Sequence, residues 1–344
     1  MGKWKFEIIE DWGSAFAESH LERWNQLMEN SENAHVFFHP SMLKAWVETY
    51  LPLRDIKPIF VWGNDGKQTL FFPLVMWKRN WKNAFLKTIV PAGFSDFDYH
   101  DPIVSEGMSD EEYGEFWTEL ESVLKGYRYD RIELDGLHSH PNDWRVKKEE
   151  NCPYITLNEF ADVEEFRKTL NTGFRKNIDR RIRRLEEQGM VSVLVHQTAE
   201  SALADNALPL MLKMHSERWP HAYKAPNFHK NLIEEGIPAG IVYYSQLMLD
   251  EKPVSWKICF KYKKTFHTYM PAIDKDFSTY SVGNLHIMKC IEECFAMGME
   301  RYDFLRGEEK YKNEWTPTSN TVRNVEKDGD SVMAKMKCKI KDLR

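Results

Sequence analysis

The chain carries one short order of elements twice, and this repetition limits the folds that it can adopt more than any other feature. In each half, a segment with helical periodicity ends near a glycine, at Gly126 and at Gly298. A strand-like run then begins with the same dipeptide, Tyr129-Asp130 in the first half and Tyr302-Asp303 in the second. The simplest explanation is a duplicated unit of strands and helices, and 344 residues are enough for two domains.

The second copy shows the order of elements more clearly. Residues 243–274 predict a three-stranded meander with turns at Asp250-Glu251 and Lys263-Lys264, and residues 282–298 predict the helix that follows. A helical region beginning near residue 158 separates the two copies and has a capping pattern at its start. We therefore predict an α+β (mixed α/β) fold with domains 1–157 and 158–344, each a twisted mixed sheet flanked by helices.

Composition excludes several classes of protein. A formal net charge of -6 gives no overall attraction to nucleic acid or anionic lipid. No run approaches the roughly 20 apolar residues that span a bilayer, so we expect a cytoplasmic protein without membrane insertion. The five cysteines lack paired spacing, and we expect buried packing for them and no metal site.

The two repeated helices differ in the charge at their starts. The first begins "SDEEYGE", whose carboxylates satisfy the helix dipole and repel a phosphate. The second begins "TYSVGNLHIMK" and has no carboxylate before Glu292, while Gly283 lets a ligand approach the backbone closely. Only the second start can therefore accept an anion. Just upstream, Pro271 interrupts a strand-like run and predicts a break in strand pairing that leaves backbone groups for an extended ligand.

Four stretches together carry a family resemblance: "YSVGNLHIMKCIEECFAMGMERYDFLRGEEKYKNEW", "GFRKNIDRRIRRLEEQG", "VFFHPSMLKAWVETY" and "FFPLVMW". They resemble the CelD/BcsL-type acetyltransferases of the Gcn5-related N-acetyltransferase (GNAT) superfamily, which are similar in layout to the tandem-GNAT Fem peptidyltransferases. The family often has proline where this chain has Val282. The resemblance implies two GNAT-like domains, of which the first lacks a coenzyme site and the second binds acyl-coenzyme A.

The resemblance also implies a reaction, the transfer of an acyl group from coenzyme A to an amine. Such enzymes commonly act in surface-polysaccharide synthesis, including lipopolysaccharide, and we expect a nucleotide-linked (dTDP- or UDP-) amino sugar as the acceptor. Amine attack on a thioester needs a base, an oxyanion donor and a proton source for the thiolate. The expected catalytic residues are Glu308 as the base, with Asp303, His267, Lys310 and Tyr311.

The expected binding residues fall into two groups. For the coenzyme they are the strand backbone at the break, the open helix start and two nearby cations: Met270, Ala272, Ser281, Val282, Gly283, Asn284, Arg306 and Lys312. For the acceptor they come from an acidic and aromatic loop, a basic helix and an aromatic segment: Asp96, Asp98, Tyr99, His100, Arg175, Lys176, Arg180, Trp219 and Tyr223. Turn formation explains the acidic loop equally well, and a solvated face explains part of the basic helix.

Three other functions compete with this interpretation. A Fem-like enzyme would take its acyl group from aminoacyl-tRNA, which the acidic total charge counts against. A metal-dependent glycosyltransferase would use Asp96-Phe97-Asp98 as an Asp-x-Asp pair. A tandem scaffold without turnover is the third, and the charged cluster "RGEEKYK" argues against it. The sequence predicts small-molecule substrates and gives no oligomeric state.

Overall fold

The computed structural model describes residues 3–204, 206–220 and 225–343. The chain forms two compact units, unit 1 with Met1–Glu150 and Thr321–Arg344 and unit 2 with Asn151–Asn320. The predicted domains, 1–157 and 158–344, differ from these units in the position of the boundary and in the assignment of the C-terminal segment.

The helices and strands follow the chain from unit 1 through unit 2 and back. The first part of unit 1 contains β1 (Lys5–Ile9), α1 (Trp12–Ala15), α2 (Glu18–Asn30), α3 (Pro40–Tyr50), β2 (Asp55–Asn64), β3 (Thr69–Lys78), β4 (Lys87–Pro91), β5 (Ile103–Val104), α4 (Asp110–Leu124) and β6 (Arg131–Leu137). Strand β7 (Arg145–Thr156) then carries the chain into unit 2.

Unit 2 contains the copy with the longer meander. Its elements are α5 (Val163–Thr169), α6 (Thr172–Glu186), β8 (Val191–His196), α7 (Ala199–Ala204), α8 (Ala207–Arg218), α9 (Phe228–Gly236), β9 (Val242–Leu249), β10 (Lys252–Tyr262), β11 (Thr265–Ile273), α10 (Val282–Ala296), β12 (Arg301–Asp303) and α11 (Lys312–Trp315). Strand β13 (Ser319–Asp328) returns the chain to unit 1, where α12 (Val332–Asp342) ends it.

The same topology occurs in both units. In unit 1, β2, β3 and β4 form an antiparallel meander, and α4 leads into β6, which pairs parallel to β4. In unit 2, β9, β10 and β11 form the meander, and α10 leads into β12, which pairs parallel to β11. The predicted α+β fold of two tandem mixed sheets flanked by helices is confirmed.

Two contacts explain why the C-terminal segment belongs to unit 1. Strand β13 pairs antiparallel with β6, so unit 1 contains a strand that the sequence places after unit 2. The buried guanidinium of Arg131 on β6 then forms a bidentate pair with Asp342 at the end of α12, at 2.8 and 2.9 Å. Strand pairing over this sequence separation leaves no local signal, which is why the predicted domain included the segment in the second half.

Local chemistry explains the meander of unit 2. Asp250 adopts a left-handed φ of 51° in the β9–β10 turn, and Lys263 and Lys264 have φ values of 44° and 61° between β10 and β11. Two consecutive left-handed residues match the twist of a two-residue hairpin. The strands and α10 enclose an apolar cluster that includes Phe266 and Ile291.

All five cysteines are buried free thiols, as the sequence predicts. Cys290 and Cys294 lie in the apolar cluster under α10. No helix in the described parts of the chain combines the length and the apolar run that crossing a bilayer requires.

Candidate functional site

A cavity of about 200 Å³ lies in unit 2 beside the start of α10. Its lining comes from β10, β11, the end of α8, α10 and the segment before α11: Arg218, Trp219, Lys257, Pro271, Ile273, Ser278, Ser281, Gly283, Asn284, Ile287 and Tyr311. Two of these side chains are cations, and none of the described lining residues is a carboxylate. The cavity therefore suits an anionic or polar ligand.

Strands β11 and β12 separate next to this cavity. Their parallel pairing ends at His267 and Asp303, whereas β11 continues to Ile273. The register of β11 against β10 also shifts between the pairs Met270–Ile258 and Thr268–Cys259, so that Tyr269 is an extra residue. The sequence predicts an interruption from Pro271, but Pro271 itself stays in register with Lys257. The edge of β11 that β12 leaves uncovered is therefore the place for an extended ligand.

The start of α10 is open to an anion. Ser281 precedes the helix with a left-handed φ of 53°, makes no capping bond from its side chain, and is followed by a first turn without acidic residues. Arg181 of α6 instead donates to the Ser281 hydroxyl at 2.6 Å and to the Thr279 carbonyl at 3.3 Å. The N–H groups of the first turn and an arginine thus lie together, which is the arrangement that binds phosphate. The sequence analysis missed Arg181 and selected its neighbours on the same helix.

The corresponding start of α4 in unit 1 is closed. Ser109 and Glu112 form a reciprocal capping box, and Asp110, Glu111 and Glu112 occupy the first turn. The hydrogen bond from the Ser109 backbone lowers the pKa of Glu112, so this carboxylate stays charged at the helix start. The contrast in polarity between the two helix starts, which the sequence predicts, is present in the structure.

Polar groups line the sheet beneath α10. Lys257 of β10 is only 2% exposed, and its Nζ donates to Thr268 Oγ1 at 3.1 Å. His286 of α10 is fully buried between the hydroxyls of Ser245 and Ser255, each at 3.0 Å. Burial, with the charge of Lys257 added, holds the pKa of His286 well below 6.5, so the imidazole is neutral.

Two further titratable groups lie at the edge of the site. Tyr311 lines the cavity, and burial together with the charge of Glu309 raises the pKa of its phenol, which stays protonated at neutral pH. The Nδ1 atom of His215 lies 2.9 Å from the carbonyl oxygen of Pro271 on β11. A carbonyl only accepts, so Nδ1 carries the proton and Nε2 is an acceptor. Burial lowers the pKa of His215 below 6.5, which keeps this tautomer neutral.

The predicted catalytic residues do not gather in the cavity. Glu308 and Lys310 are exposed, and Glu308 accepts a hydrogen bond from Asn151 at 3.3 Å. Asp303 is buried and accepts from the backbone N–H of Leu305 at 2.7 Å. His267 is buried beside it, and burial followed by the charge of Arg301 lowers its pKa to about 3. Of the predicted catalytic set, Tyr311 alone is among the lining residues.

The predicted coenzyme residues divide into two groups. Ser281, Gly283 and Asn284 line the cavity, whereas the side chains of Met270, Ala272 and Val282 are buried in the core. Arg306 is not among the lining residues and offers its carbonyl to Lys312.

Lys312 has a structural position. It is 3% exposed, and its ammonium donates to the carbonyls of Leu305 and Arg306 at 3.3 and 2.7 Å and pairs with Glu309 at 2.9 Å. These partners occupy the three donors of the ammonium. The expectation that Lys312 faces a phosphate therefore disagrees with the structure.

The predicted acceptor loop of unit 1 packs into its own unit. Asp96 accepts from Trp46 at 3.2 Å and from Tyr50 at 2.7 Å, both on α3. Tyr99 and His100 are buried, and Asp98 is half-buried. Local turn and core packing therefore account for this loop.

A second cavity in unit 2, of about 880 Å³, lies at the start of α6. Arg180 lines it, Lys176 is exposed, and Arg175 donates to the Arg167 carbonyl at 3.4 Å. The other lining residues are mostly polar or small, namely Thr169, Leu170, Asn171, Gly173, Phe174, Asn177, Asn313, Glu314, Trp315, Thr316 and Pro317. Trp219 lines the smaller cavity, and Tyr223 lies outside the described residues.

Comparison with known families identifies the second unit. Residues 172–313 match the family model described as an acetyltransferase (GNAT) domain. This span contains α6, the meander β9–β11, α10 and the cavity beside it. No curated protein matches the sequence. The predicted enzyme class, a GNAT-superfamily N-acyltransferase, is confirmed by the family model.

Solved structures with the same fold cover nearly the whole chain. A crystal structure of FemX is 9% identical, with a TM-score of 0.59, over 88% of this chain and 95% of that one. The C-terminal domain (DUF2156) of a putative lysylphosphatidylglycerol synthetase from Agrobacterium fabrum is 12% identical, with a TM-score of 0.52, over 94% and 95%. A tandem GNAT protein from the clavulanic acid biosynthesis pathway is 10% identical, with a TM-score of 0.51, over 95% and 99%. At such identities the similarity shows a tandem-GNAT fold and nothing further.

Proposed function

We propose that the protein transfers an acyl group from acyl-coenzyme A to an amine and that unit 2 holds the donor. The observation that carries this proposal is the position of the open α10 start beside the separated strands β11 and β12. The first turn of α10, with Arg181, would bind the phosphates, and the uncovered edge of β11 would hold the extended arm of the coenzyme. GNAT domains use this donor, and the lining of the smaller cavity fits its negative charge.

The side chains around this donor site supply acid–base chemistry. A neutral His215 has an acceptor nitrogen that can take a proton from the attacking ammonium or amine. Tyr311, which remains protonated, can donate a hydrogen bond to the thioester. The amine nitrogen then bonds to the carbonyl carbon and the carbon–sulfur bond breaks, which releases coenzyme A. The amide product has one proton fewer on nitrogen than the amine, and His215 holds that proton. We assign the base role to His215 because its Nδ1 is held against the carbonyl of Pro271, a residue that lines the cavity, whereas Glu308 is exposed and hydrogen-bonds Asn151.

The acceptor that we propose is the amine of a dTDP- or UDP-linked amino sugar used for surface polysaccharide. The resemblance to the CelD/BcsL-type acetyltransferases suggests it. The larger cavity has a volume within the range of small-molecule sites, and its amides and Arg180 suit hydroxyls and a diphosphate. We place the reaction in the cytoplasm, where both substrates are made.

Thiol release measures this function directly. The purified protein is incubated with acetyl-coenzyme A and a panel of nucleotide amino sugars, and we expect release that depends on both substrates. His215→Gln should abolish most of the turnover and Glu308→Gln should retain it. If Glu308→Gln were the inactive variant, the base would be Glu308. If the panel gave no release, the proposed acceptor would be refuted.

A second candidate is transfer from aminoacyl-tRNA. The basic residues of α6, which include Arg180 and the exposed Arg183, favour it because they could contact an RNA backbone. The same reaction run with charged tRNA in place of the coenzyme distinguishes the two donors. Amide formation that falls steeply between low and moderate salt would support the tRNA donor.

A further inference from the structure

Lys257 is a cation buried in the core of unit 2. Its side chain is almost fully enclosed between β10, β11 and α10, and the hydroxyl of Thr268 is its hydrogen-bond acceptor. Among the described residues, no carboxylate forms an ion pair with Lys257, although it lines the smaller cavity. Burying an unpaired ammonium costs several kcal/mol. A negative ligand in the smaller cavity would offset this cost.

The position of Lys257 indicates which part of the donor it meets. The open end of the site lies where Gly283 of α10 approaches Ile273 of β11, since a Cβ added at Gly283 would be 3.4 Å from Ile273 Cγ2. Thr268, the partner of Lys257, lies five residues earlier on the same strand, directly after the last pair with β12. Because Tyr269 is an extra residue in the register against β10, this separation corresponds to four regular strand steps of about 3.3 Å each, or roughly 13 Å. A donor whose phosphates bind at the helix start therefore brings the far end of its extended arm, which carries the sulfur, to Lys257.

We propose that the ammonium of Lys257 binds the sulfur of coenzyme A as it leaves, so that the coenzyme departs as the thiolate. This inference rests on the proposed function and deepens it. The amine nitrogen forms its bond to the acyl carbon, the carbon–sulfur bond breaks, and its electron pair stays on sulfur beside the ammonium. The proton lost by the amine goes to His215. Tyr311 then needs to donate only a hydrogen bond.

The groups that surround Lys257 are compatible with this role. Cys259 on its own strand and His286 and Cys290 on α10 interact with the charge of Lys257, and Tyr311 before α11 and Arg218 at the end of α8 line the same cavity; Tyr302 on β12 contacts its partner Thr268. His286 is neutral, and burial keeps the phenol of Tyr302 protonated.

Cys259 is the internal group that could compete for the ammonium. Burial disfavours its thiolate, but the contact with Cys290 and the charge of Lys257 bring its pKa below the ordinary value. The variant Cys259→Ser removes this thiol and serves as the control.

The test is the ionisation of coenzyme A bound to the full-length protein. The ultraviolet absorbance of the thiolate is titrated with pH, and the complex with desulfo-coenzyme A is the blank that removes the contribution of the five cysteines. We expect the thiol of bound coenzyme A to ionise at least tenfold more easily than that of the free coenzyme, because an opposite charge at contact distance lowers a pKa by about one to three units. Cys259→Ser should show the same behaviour. Lys257→Met should lose it, and Lys257→Arg should retain part of it.

Binding of desulfo-coenzyme A separates this inference from the proposed function. Lys257→Met should bind desulfo-coenzyme A as well as the wild type and should lose affinity for coenzyme A at alkaline pH. An ordinary thiol pKa for coenzyme A bound to the wild type would refute the inference, and this result does not depend on whether Lys257→Met folds. Tight coenzyme binding and turnover by the same wild-type protein would still support the proposed function. If succinyl-coenzyme A bound far more tightly than acetyl-coenzyme A, and only with Lys257 present, the ammonium would serve an acyl carboxylate and the inference would be wrong.

Discussion

Replacing Gly283 with alanine isolates the contribution of the α10 start. Gly283 is the second residue of α10, and its φ lies outside the left-handed region in which a side chain would be strained. An added methyl would meet Ile273 at 3.4 Å, which is an ordinary contact, so the variant should fold. Replacing glycine by alanine at a compatible position raises the free energy of unfolding by about 0.4 to 1 kcal/mol.

The same methyl should weaken donor binding. It would project beside the first N–H groups of α10, where the phosphates are expected, and would move them away from the helix start. Interactions with a helix N-terminus contribute about 1 to 2 kcal/mol in favourable geometry, so the Kd for coenzyme A should rise about 5- to 30-fold. Isothermal titration calorimetry measures this change, and thermal unfolding checks the stability.

Gly114→Ala is the matched control. Gly114 lies in α4, the corresponding helix of unit 1, and a Cβ there would meet no atom within 4 Å. This variant should gain stability in the same way and leave coenzyme binding unchanged. Equal affinity of Gly283→Ala and wild type for coenzyme A, with both folded, would show that the donor does not bind at the α10 start.

Three further predictions concern pH and stability. His215→Gln keeps a donor to the Pro271 carbonyl but removes the base, so kcat/KM should fall about 100-fold and lose the acid limb that the wild type shows below pH 6.5, as pH–rate profiles would reveal. Lys312→Met leaves two loop carbonyls without their donor and should lower the free energy of unfolding by about 2 kcal/mol in urea titrations, and an unchanged midpoint would contradict the structural role. The pairing with Arg131 lowers the pKa of Asp342 to about 2, below the ordinary 3.8. The contribution of this pair to the free energy of unfolding is therefore complete above about pH 4 and is lost as the pH falls toward 2. Asp342→Asn should flatten this part of the curve of stability against pH, and a slope identical to that of the wild type would refute the assignment.

The fold was predictable because its signals are local. Runs rich in β-branched, aromatic and other apolar residues mark β9, β10 and β11, and the turn at Lys263-Lys264 is a contiguous pair. The polarity of the two helix starts can also be read directly, since a cap and a first turn occupy a few consecutive residues.

The candidate site was only partly predictable because its geometry depends on packing between distant segments. Lys257 lies on the same face of β10 as Ser255 and Cys259, because residues two apart share a face of a strand. The sequence does not show that α10 covers this face. Two residues of the charge cluster "RGEEKYK" differ in the structure, because the ammonium of Lys312 donates to loop carbonyls while Glu308 stays exposed. A charged run in the sequence therefore does not show which of its side chains line a cavity.

The passage of the chain through the two units sets the order in which they can be completed during synthesis. Every residue of unit 2 has been made once Asn320 is added. A backbone hydrogen bond from Tyr154 to Thr318, at 3.0 Å, joins the beginning and the end of unit 2. Unit 1 begins before unit 2 and is completed after it, because most of β13 and all of α12 are made after Asn320. Until then the guanidinium of Arg131 has no Asp342 to pair with, so a chain that ends before residue 321 contains every residue of unit 2 but leaves unit 1 incomplete.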